Sequence, residues 1–261
     1  MRKLHDHILK IVEYEYKMKG RVVAAILAGG EGSRFRPYTE IVPKPMIPLG
    51  PEEKPLLEYI IRWLSRHDIR DIVLLVGYRW KQIRNYFNDG ARWNVRIRYS
   101  IDTEEYHGTG GALLNAYHQG LLDTNPILIW YGDILAPLNV GELLRQHIEK
   151  KADALLALAD RYQVPVGVAR VEGDAIVELE EKPWLPIHVT IAILTLNPHV
   201  LPEAEEQLGK SFDIMGDLIP WMINNGYNVK AYIYKGPWYD VGSLERYKKL
   251  NHEDIKEFLK T

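Results

Sequence analysis

The sequence predicts an α/β fold in three layers, a mixed but mainly parallel sheet with helices on both faces. Three observations carry this. Short runs rich in Val, Ile and Leu alternate with segments of helical periodicity, the pattern of strands joined by crossover helices. Several of those runs are apolar throughout, as strands buried on both faces are. The run at 22–27 leads into a glycine-rich loop and the run at 126–133 ends in an acid, which is the chemistry expected where open α/β sheets bind ligands.

Taken in order, VVAAIL (22–27) is the first strand. PLLEYIIRWLSRH (55–67) is a helix, because Leu57, Ile60, Ile61 and Leu64 fall on one face at helical spacing. DIVLLVG (71–77), a helix WKQIRNYF (80–87) and the alternating strand VRIRYSI (95–101) follow. TGGALLNAYHQGLL (109–122) is helical despite its glycines, and PILIWYGD (126–133) is a buried strand. A helix around 141–151 leads to the strand ADALLALA (152–159), and 166–183 reads as a hairpin turning at Gly173 and Asp174. IHVTIAILTL (187–196), a helix over 213–225, the strand YNVKAYIY (227–234) and an amphipathic helix over 243–260 complete the chain. No linker or repeat divides it, so one domain over 18–261 is expected, with no β-helix series at its end. Residues 1–17 read as an extension, with Leu4, Ile8, Ile11 and Val12 on one side of a short helix.

Composition excludes several functions. Thirty-three basic against 35 acidic residues give a net charge of −2, which argues against a nucleic-acid partner bound by bulk counterion release. There is no cysteine, hence no disulfide, thiolate nucleophile or cysteine zinc site. The first twenty residues are charged throughout and lack a secretory core, so a cytoplasmic location is expected. Residues 183–202 contain no Asp, Glu, Lys or Arg but have four prolines, which favours a buried strand with turns over a membrane span.

Chemistry concentrates in LAGGEGSRFRP (27–37), just behind the first strand. Glycines there let main-chain N–H groups approach a phosphate. A dinucleotide fingerprint requires a third glycine where Phe35 stands, and a phosphate-binding Walker loop requires Gly-Lys followed by Ser or Thr where the chain has Gly32-Ser33-Arg34. A nicotinamide-dependent oxidoreductase is therefore disfavoured. A plain glycine turn with solvated arginines accounts for the loop alone, but not for Lys44, which the proline-stiffened IVPKPMIPLG (41–50) returns behind it.

The whole stretch LAGGEGSRFRPYTEIVPKPMIPLG resembles the signature of the sugar-1-phosphate nucleotidylyltransferases, with Ser33 in place of the usual threonine. The resemblance extends over roughly residues 20–250 and implies a Rossmann-like nucleotidyltransferase fold. It also implies transfer of a nucleotidyl group from a nucleoside triphosphate to a sugar 1-phosphate, with Mg2+ as cofactor. Leu27, Gly29, Gly30, Gly32 and Ser33 would wrap the nucleotide, Arg34 would hold the departing pyrophosphate, and Lys44 would neutralise charge at the bond being made. Asp133 in Tyr131-Gly132-Asp133 and Asp240 in Trp238-Tyr239-Asp240-Val241-Gly242 match the two metal acids, although the family's asparagine at 131 is lost. Gly77, Gly108 and Thr109 match positions around the base. Glu181-Lys182-Pro183 and Gly167 match sugar and sugar-phosphate contacts, with Lys182 on the incoming phosphate. The family's Asn-x-Gly-Ile-Tyr is replaced by Thr190-Ile191-Ala192-Ile193-Leu194, which leaves Thr190 as the remaining sugar donor.

Lys44-Pro45-Met46 and the phrase FNDGARW (87–93) look closer to mannose- and heptose-phosphate guanylyltransferases, which favours GTP with mannose 1-phosphate and leaves UTP or dTTP with glucose 1-phosphate open. A non-catalytic sugar-nucleotide sensor on the same fold also stays open, as does assembly into a homo-oligomer.

Overall fold

A computed structural model of the protein describes residues 22–250, 255, 256 and 258. The extension at 1–17 and most of the end of the last expected helix lie outside the described residues.

Alternation of strand and crossover helix is borne out. β1 (Val23–Leu27) is followed by α1 (Leu56–Arg66), β2 (Asp71–Val76), α2 (Trp80–Phe87), β3 (Arg96–Ile101), α3 (Gly108–His118) and β4 (Ile127–Tyr131). Then come α4 (Val140–Glu149), β5 (Ala154–Ala159), the hairpin β6 (Gly167–Glu172) and β7 (Ala175–Glu181), and β8 (Val189–Leu196). The chain ends with α5 (Leu201–Leu208), α6 (Ile219–Asn224), β9 (Val229–Tyr234) and α7 (Leu244–Lys249).

Seven strands form the central sheet in the order β9-β5-β8-β4-β1-β2-β3. β8 runs antiparallel to both of its neighbours and the remaining pairings are parallel, so the sheet is mixed and mainly parallel. Alternate residues of β1 feed two cores. Ala24 and Ile26 pack with Leu57, Ile60, Ile61 and Leu64 of α1, all wholly buried, while Val23 and Ala25 face Leu113, Leu114 and Ala116 of α3. Each buried Leu or Ile contributes roughly 1.5–3 kcal/mol, which makes the sheet a rigid platform for whatever lies at its edge.

The uncharged stretch at 183–202 is largely β8, and no described helix is long and apolar enough to cross a membrane. α5 was not expected, because Pro198 and Pro202 break the periodic pattern; Pro202 instead sits in the first turn, where its missing N–H costs no bond. The expected helix over 213–225 begins as a π-helical segment, Ile214–Leu218, before α6. The β6–β7 hairpin is exposed along both strands and pairs with no other strand of the sheet.

One backbone feature bears on the sugar-contact stretch. Ala192 has φ of 54°, in the left-handed region, where the register of β8 against β5 shifts between Thr190 and Leu194. A Cβ is disfavoured there. Ala192→Gly is therefore expected to raise stability by about 1 kcal/mol, a gain of a few degrees in Tm by thermal unfolding. An unchanged or lower Tm would show that the left-handed conformation costs nothing at this site.

Candidate active site

At the carboxyl edge of the sheet lies a cleft of about 420 Å³. The loop after β1 forms its floor. Gly32 has φ of 64°, and a Cβ there would stand 2.9 Å from the Thr39 methyl and 3.0 Å from the Lys44 Cβ, so glycine is required for the loop to close down on Lys44. Phe35, where a dinucleotide fingerprint needs glycine, is buried, and the Lys44 ammonium lies 5.7 Å from its ring centre. The short helical turn Lys44–Met46 returns the lysine to the cleft, closed by the Met46 N–H donating to the Pro43 carbonyl at 2.8 Å.

Lys44 Nζ donates to Asp133 Oδ2 at 2.5 Å, across 89 positions of sequence. The lysine side chain is only 11% exposed. Burial pulls its pKa below the usual lysine range; Asp133 opposes that fall, and the Arg34 and Arg246 charges add to it. A cation is thus held where a cation is costly, next to the exposed Arg34, which also lines the cleft. That is an electrostatic site prepared for an anion.

Asp133 reaches the cleft through Gly132, whose N–H donates to the Leu27 carbonyl at 2.9 Å and whose missing side chain would meet that oxygen at 2.6 Å. Beyond Asp133, the two-residue strands Ile134–Leu135 and Tyr239–Asp240 pair antiparallel, and the Val241 N–H donates to the Asp133 carbonyl at 2.9 Å. This pairing brings the two expected metal acids onto neighbouring backbones. Their side chains nevertheless have different partners: Asp133 takes Lys44, while Asp240 is ion-paired with Arg246 and lines an adjoining pocket, leaving Gly242 to line the cleft. Among the described residues, no group of three or more acids and histidines forms a ready metal site.

Leu27, Gly29, Gly30, Gly32, Ser33, Arg34, Lys44, Gly108, Thr109 and Asp133 all line the cleft. Gly77 lies behind the wall, where its missing side chain makes room for Asp102. Thr109 is engaged internally: its N–H and hydroxyl both donate to Asp213 Oδ1 at 3.0 Å, and its hydroxyl accepts from the Ile214 N–H. The glycines that follow serve packing. Gly110 and Gly111 donate N–H groups to the Phe212 carbonyl, and a Cβ on Gly110 would overlap the Phe212 ring at 2.1 Å. That close fit explains a helix that starts in glycines.

Gly167, Glu181, Lys182 and Thr190 do not line this cleft. Glu181 and Lys182 stand exposed at the base of the hairpin, 3.7 Å apart, and the Thr190 hydroxyl lies 3.8 Å from Met215 Sδ. The adjoining pocket on this side, about 310 Å³, is walled by Trp184, Trp238, Arg161 and Arg246.

Four residues escaped the sequence reading of the site. Asp102, Asp213 and Tyr131 line the cleft, and Arg246 holds Asp240. Asp102 directly follows β3 as Asp133 follows β4, so the same signal, an acid closing a strand, could have found it. Burial pushes the Tyr131 phenol up to about 12, keeping it neutral beside Asp133 and Asp213.

Parallel strands ending in a glycine loop, with a fixed cation and a carboxylate above it, make an α/β protein with an anion-suited cleft at the carboxyl edge of its sheet. The chain belongs to the nucleotidyl transferase family, whose model matches residues 23–257. It is 30% identical over 243 residues to a UTP–glucose-1-phosphate uridylyltransferase of Synechocystis, covering 86% of this chain and 61% of that one. A glucose-1-phosphate adenylyltransferase of Fusobacterium nucleatum is 28% identical over 259 residues, covering 88% and 65%. The chain thus spans somewhat less than two thirds of the length of these relatives.

Among solved structures, a Bacillus anthracis protein assigned as a glucose-1-phosphate thymidylyltransferase, in complex with sucrose, superposes with a TM-score of 0.72 at 22% identity, covering 91% of this chain and 99% of that one. HddC from Yersinia pseudotuberculosis, complexed with GMP-PN, gives 0.68 at 21% identity, covering 89% and 99%. The fold is shared with both.

Proposed function

We propose that the chain transfers a nucleotidyl group from a nucleoside triphosphate to a sugar 1-phosphate, forming an NDP-sugar and pyrophosphate in a Mg2+-dependent reaction. The observation that carries this is the Lys44–Asp133 pair set over the glycine loop, with Arg34 beside it. An oxygen of the sugar phosphate attacks the α-phosphorus, a new P–O bond forms there, and the bond to the pyrophosphate oxygen breaks. The acceptor supplies the nucleophile, so no side chain has to. What the protein must do is hold two anions in line and offset their repulsion. Lys44 and Arg34 carry positive charge to that point, and loop N–H groups add donors.

Asp133 suits a hard cation that arrives with phosphates, since Mg2+ binds through one or two carboxylates and substrate oxygens. Bound there, the ion supplies Lewis-acid and templating charge. Asp240 becomes a second ligand only on leaving Arg246. Lys182 is assigned to the incoming phosphate, and Glu181, Gly167 and Thr190 to the sugar, all on the hairpin side of the site. The named relatives act on UTP and ATP with glucose 1-phosphate; for this chain the resemblance of Lys44-Pro45-Met46 and residues 87–93 favours GTP with mannose 1-phosphate, with UTP or dTTP and glucose 1-phosphate as the other pairs to test. A cytoplasmic location fits such substrates.

The engagement of Asp240 by Arg246 favours one other reading, a sensor that binds nucleotide without turning it over. A pyrophosphate-release panel of GTP, ATP, UTP and dTTP against several sugar 1-phosphates with Mg2+ separates the two. Release with at least one pair, reduced in Asp240→Asn, is the expected outcome. Tight nucleotide binding with no release from any pair would establish the sensor instead.

A further inference from the structure

The pocket that adjoins the cleft has a chemistry of its own. Asp240 lines this pocket and Gly242, two residues on, lines the cleft. Two residues of chain reach no more than about 7 Å, so a hexose carrying a group at each end can touch both cavities. The opposite wall starts at the acceptor side of the site. The two-residue strands Tyr162–Gln163 and Trp184–Leu185 pair antiparallel, the Val164 N–H donates to the Pro183 carbonyl at 3.0 Å, and the Gln163 side-chain amide donates to the Lys182 carbonyl at 3.2 Å. Trp184 is thereby fixed two positions beyond Lys182, the residue assigned to the incoming phosphate, and it lines the pocket.

What the pocket offers is an aromatic surface and positive charge. Trp184 is 57% exposed, and the Arg161 guanidinium lies 5.0 Å from its ring centre. That stacking holds Arg161 in place, yet among the described residues its side chain forms no hydrogen bond or ion pair, so all five of its N–H donors face a ligand or water. Arg246 gives Nη1 to Asp240 and is 44% exposed, which leaves donors on its other nitrogens. Two guanidiniums therefore share the pocket with a single carboxylate, and that carboxylate is already engaged.

We infer that this pocket receives the far end of the acceptor, and that the acceptor is a sugar 1-phosphate bearing a second anionic group, a phosphate or a carboxylate, on the carbon most distant from its 1-phosphate. This rests on the nucleotidyl-transfer reading above and adds to it only the charge of the sugar. The 1-phosphate lies toward Lys44 and Lys182, the ring lies against the Trp184 and Trp238 walls, and Arg161 and Arg246 close on the second anion. A guanidinium matches two oxygens of either group as a bidentate pair. A hydroxyl at that carbon, as in mannose 1-phosphate or glucose 1-phosphate, offers no charge to two cations and gains little from them. Because Arg161 is already stacked, little side-chain freedom is lost when the anion arrives.

The test compares acceptors that differ only at that carbon. Pyrophosphate release is measured, with the triphosphate that supports most release, for mannose 1-phosphate against mannose 1,6-bisphosphate, and for glucose 1-phosphate against glucose 1,6-bisphosphate and glucuronic acid 1-phosphate. Within each set, at least one acceptor with the second anion is expected to show kcat/KM about tenfold higher or more, carried mainly by KM, the scale of one charge-assisted contact. Calorimetric titration of the same acceptors without triphosphate should give the same order. Arg161→Gln should bring the values within each set together, and Arg161→Lys should restore part of the difference. Arg161 is exposed, so both variants should fold, which a thermal unfolding curve checks.

Equal or lower values for every acceptor with a second anion, or a preference that Arg161→Gln leaves intact, would overturn the inference while pyrophosphate release upholds nucleotidyl transfer. No release from any pair would sink that reading, and the inference with it.

Discussion

Replacing Lys44 with alanine is expected to lower turnover by about two orders of magnitude or more with the fold intact, the scale of losing a preorganised electrostatic donor. The lysine is nearly buried, its charge is disfavoured by burial and by Arg34 and Arg246, and one carboxylate 2.5 Å away holds it. Such an arrangement makes sense if the charge is needed by something that enters the cleft. Removing a partner from a fully buried ion pair costs roughly 3–5 kcal/mol, but the Asp133 side chain is 27% exposed and water can reach it, so the stability loss should be smaller. Pyrophosphate release measured beside a thermal unfolding curve separates the two effects. Lys44→Arg is a useful companion, since it keeps the charge but brings a broad planar group into the space between Gly32 and Phe35. Near-normal turnover in Lys44→Ala would remove this residue from the path of the phosphates.

Much of this site was legible because its parts are local. A glycine loop after a buried strand, and an acid at the end of another, can be read one segment at a time, and the sheet then aligns those ends. Leu57, Ile60, Ile61 and Leu64 were legible for the same reason, since helical spacing alone sets their common face. What escaped depends on contacts between distant segments. Nothing near Arg246 announces that it will pair with Asp240, and nothing in the helix 109–122 shows that Asp213 will engage Thr109. Gly110 and Gly111 look like helix defects until Phe212 is seen against them. Ala192 sits within a run of residues that favour strands, which hides its left-handed φ. The sugar side was the least legible part, because the hairpin that carries Glu181 and Lys182 touches the central sheet so little that no local pattern fixes where it points.

Asp133→Asn separates a role in metal binding from one in shaping the cleft. The change is isosteric, the main-chain carbonyl that accepts from Val241 is untouched, and the new amide oxygen can still accept from Lys44, so thermal stability should fall only modestly. Turnover should drop by about two or more orders of magnitude if the carboxylate charge is what holds a divalent ion against the phosphates. Binding of the free triphosphate without metal should move the other way, or not at all. The substitution removes a negative charge facing the ligand and leaves Lys44 less neutralised, and like-charge repulsion at cleft distances is worth on the order of 1 kcal/mol or more. The signature is therefore a split: lost Mg2+-dependent turnover, with metal-free nucleotide affinity retained or improved. Equal losses in both would show that Asp133 holds Lys44 in place and does nothing more, and unchanged turnover would place the metal elsewhere.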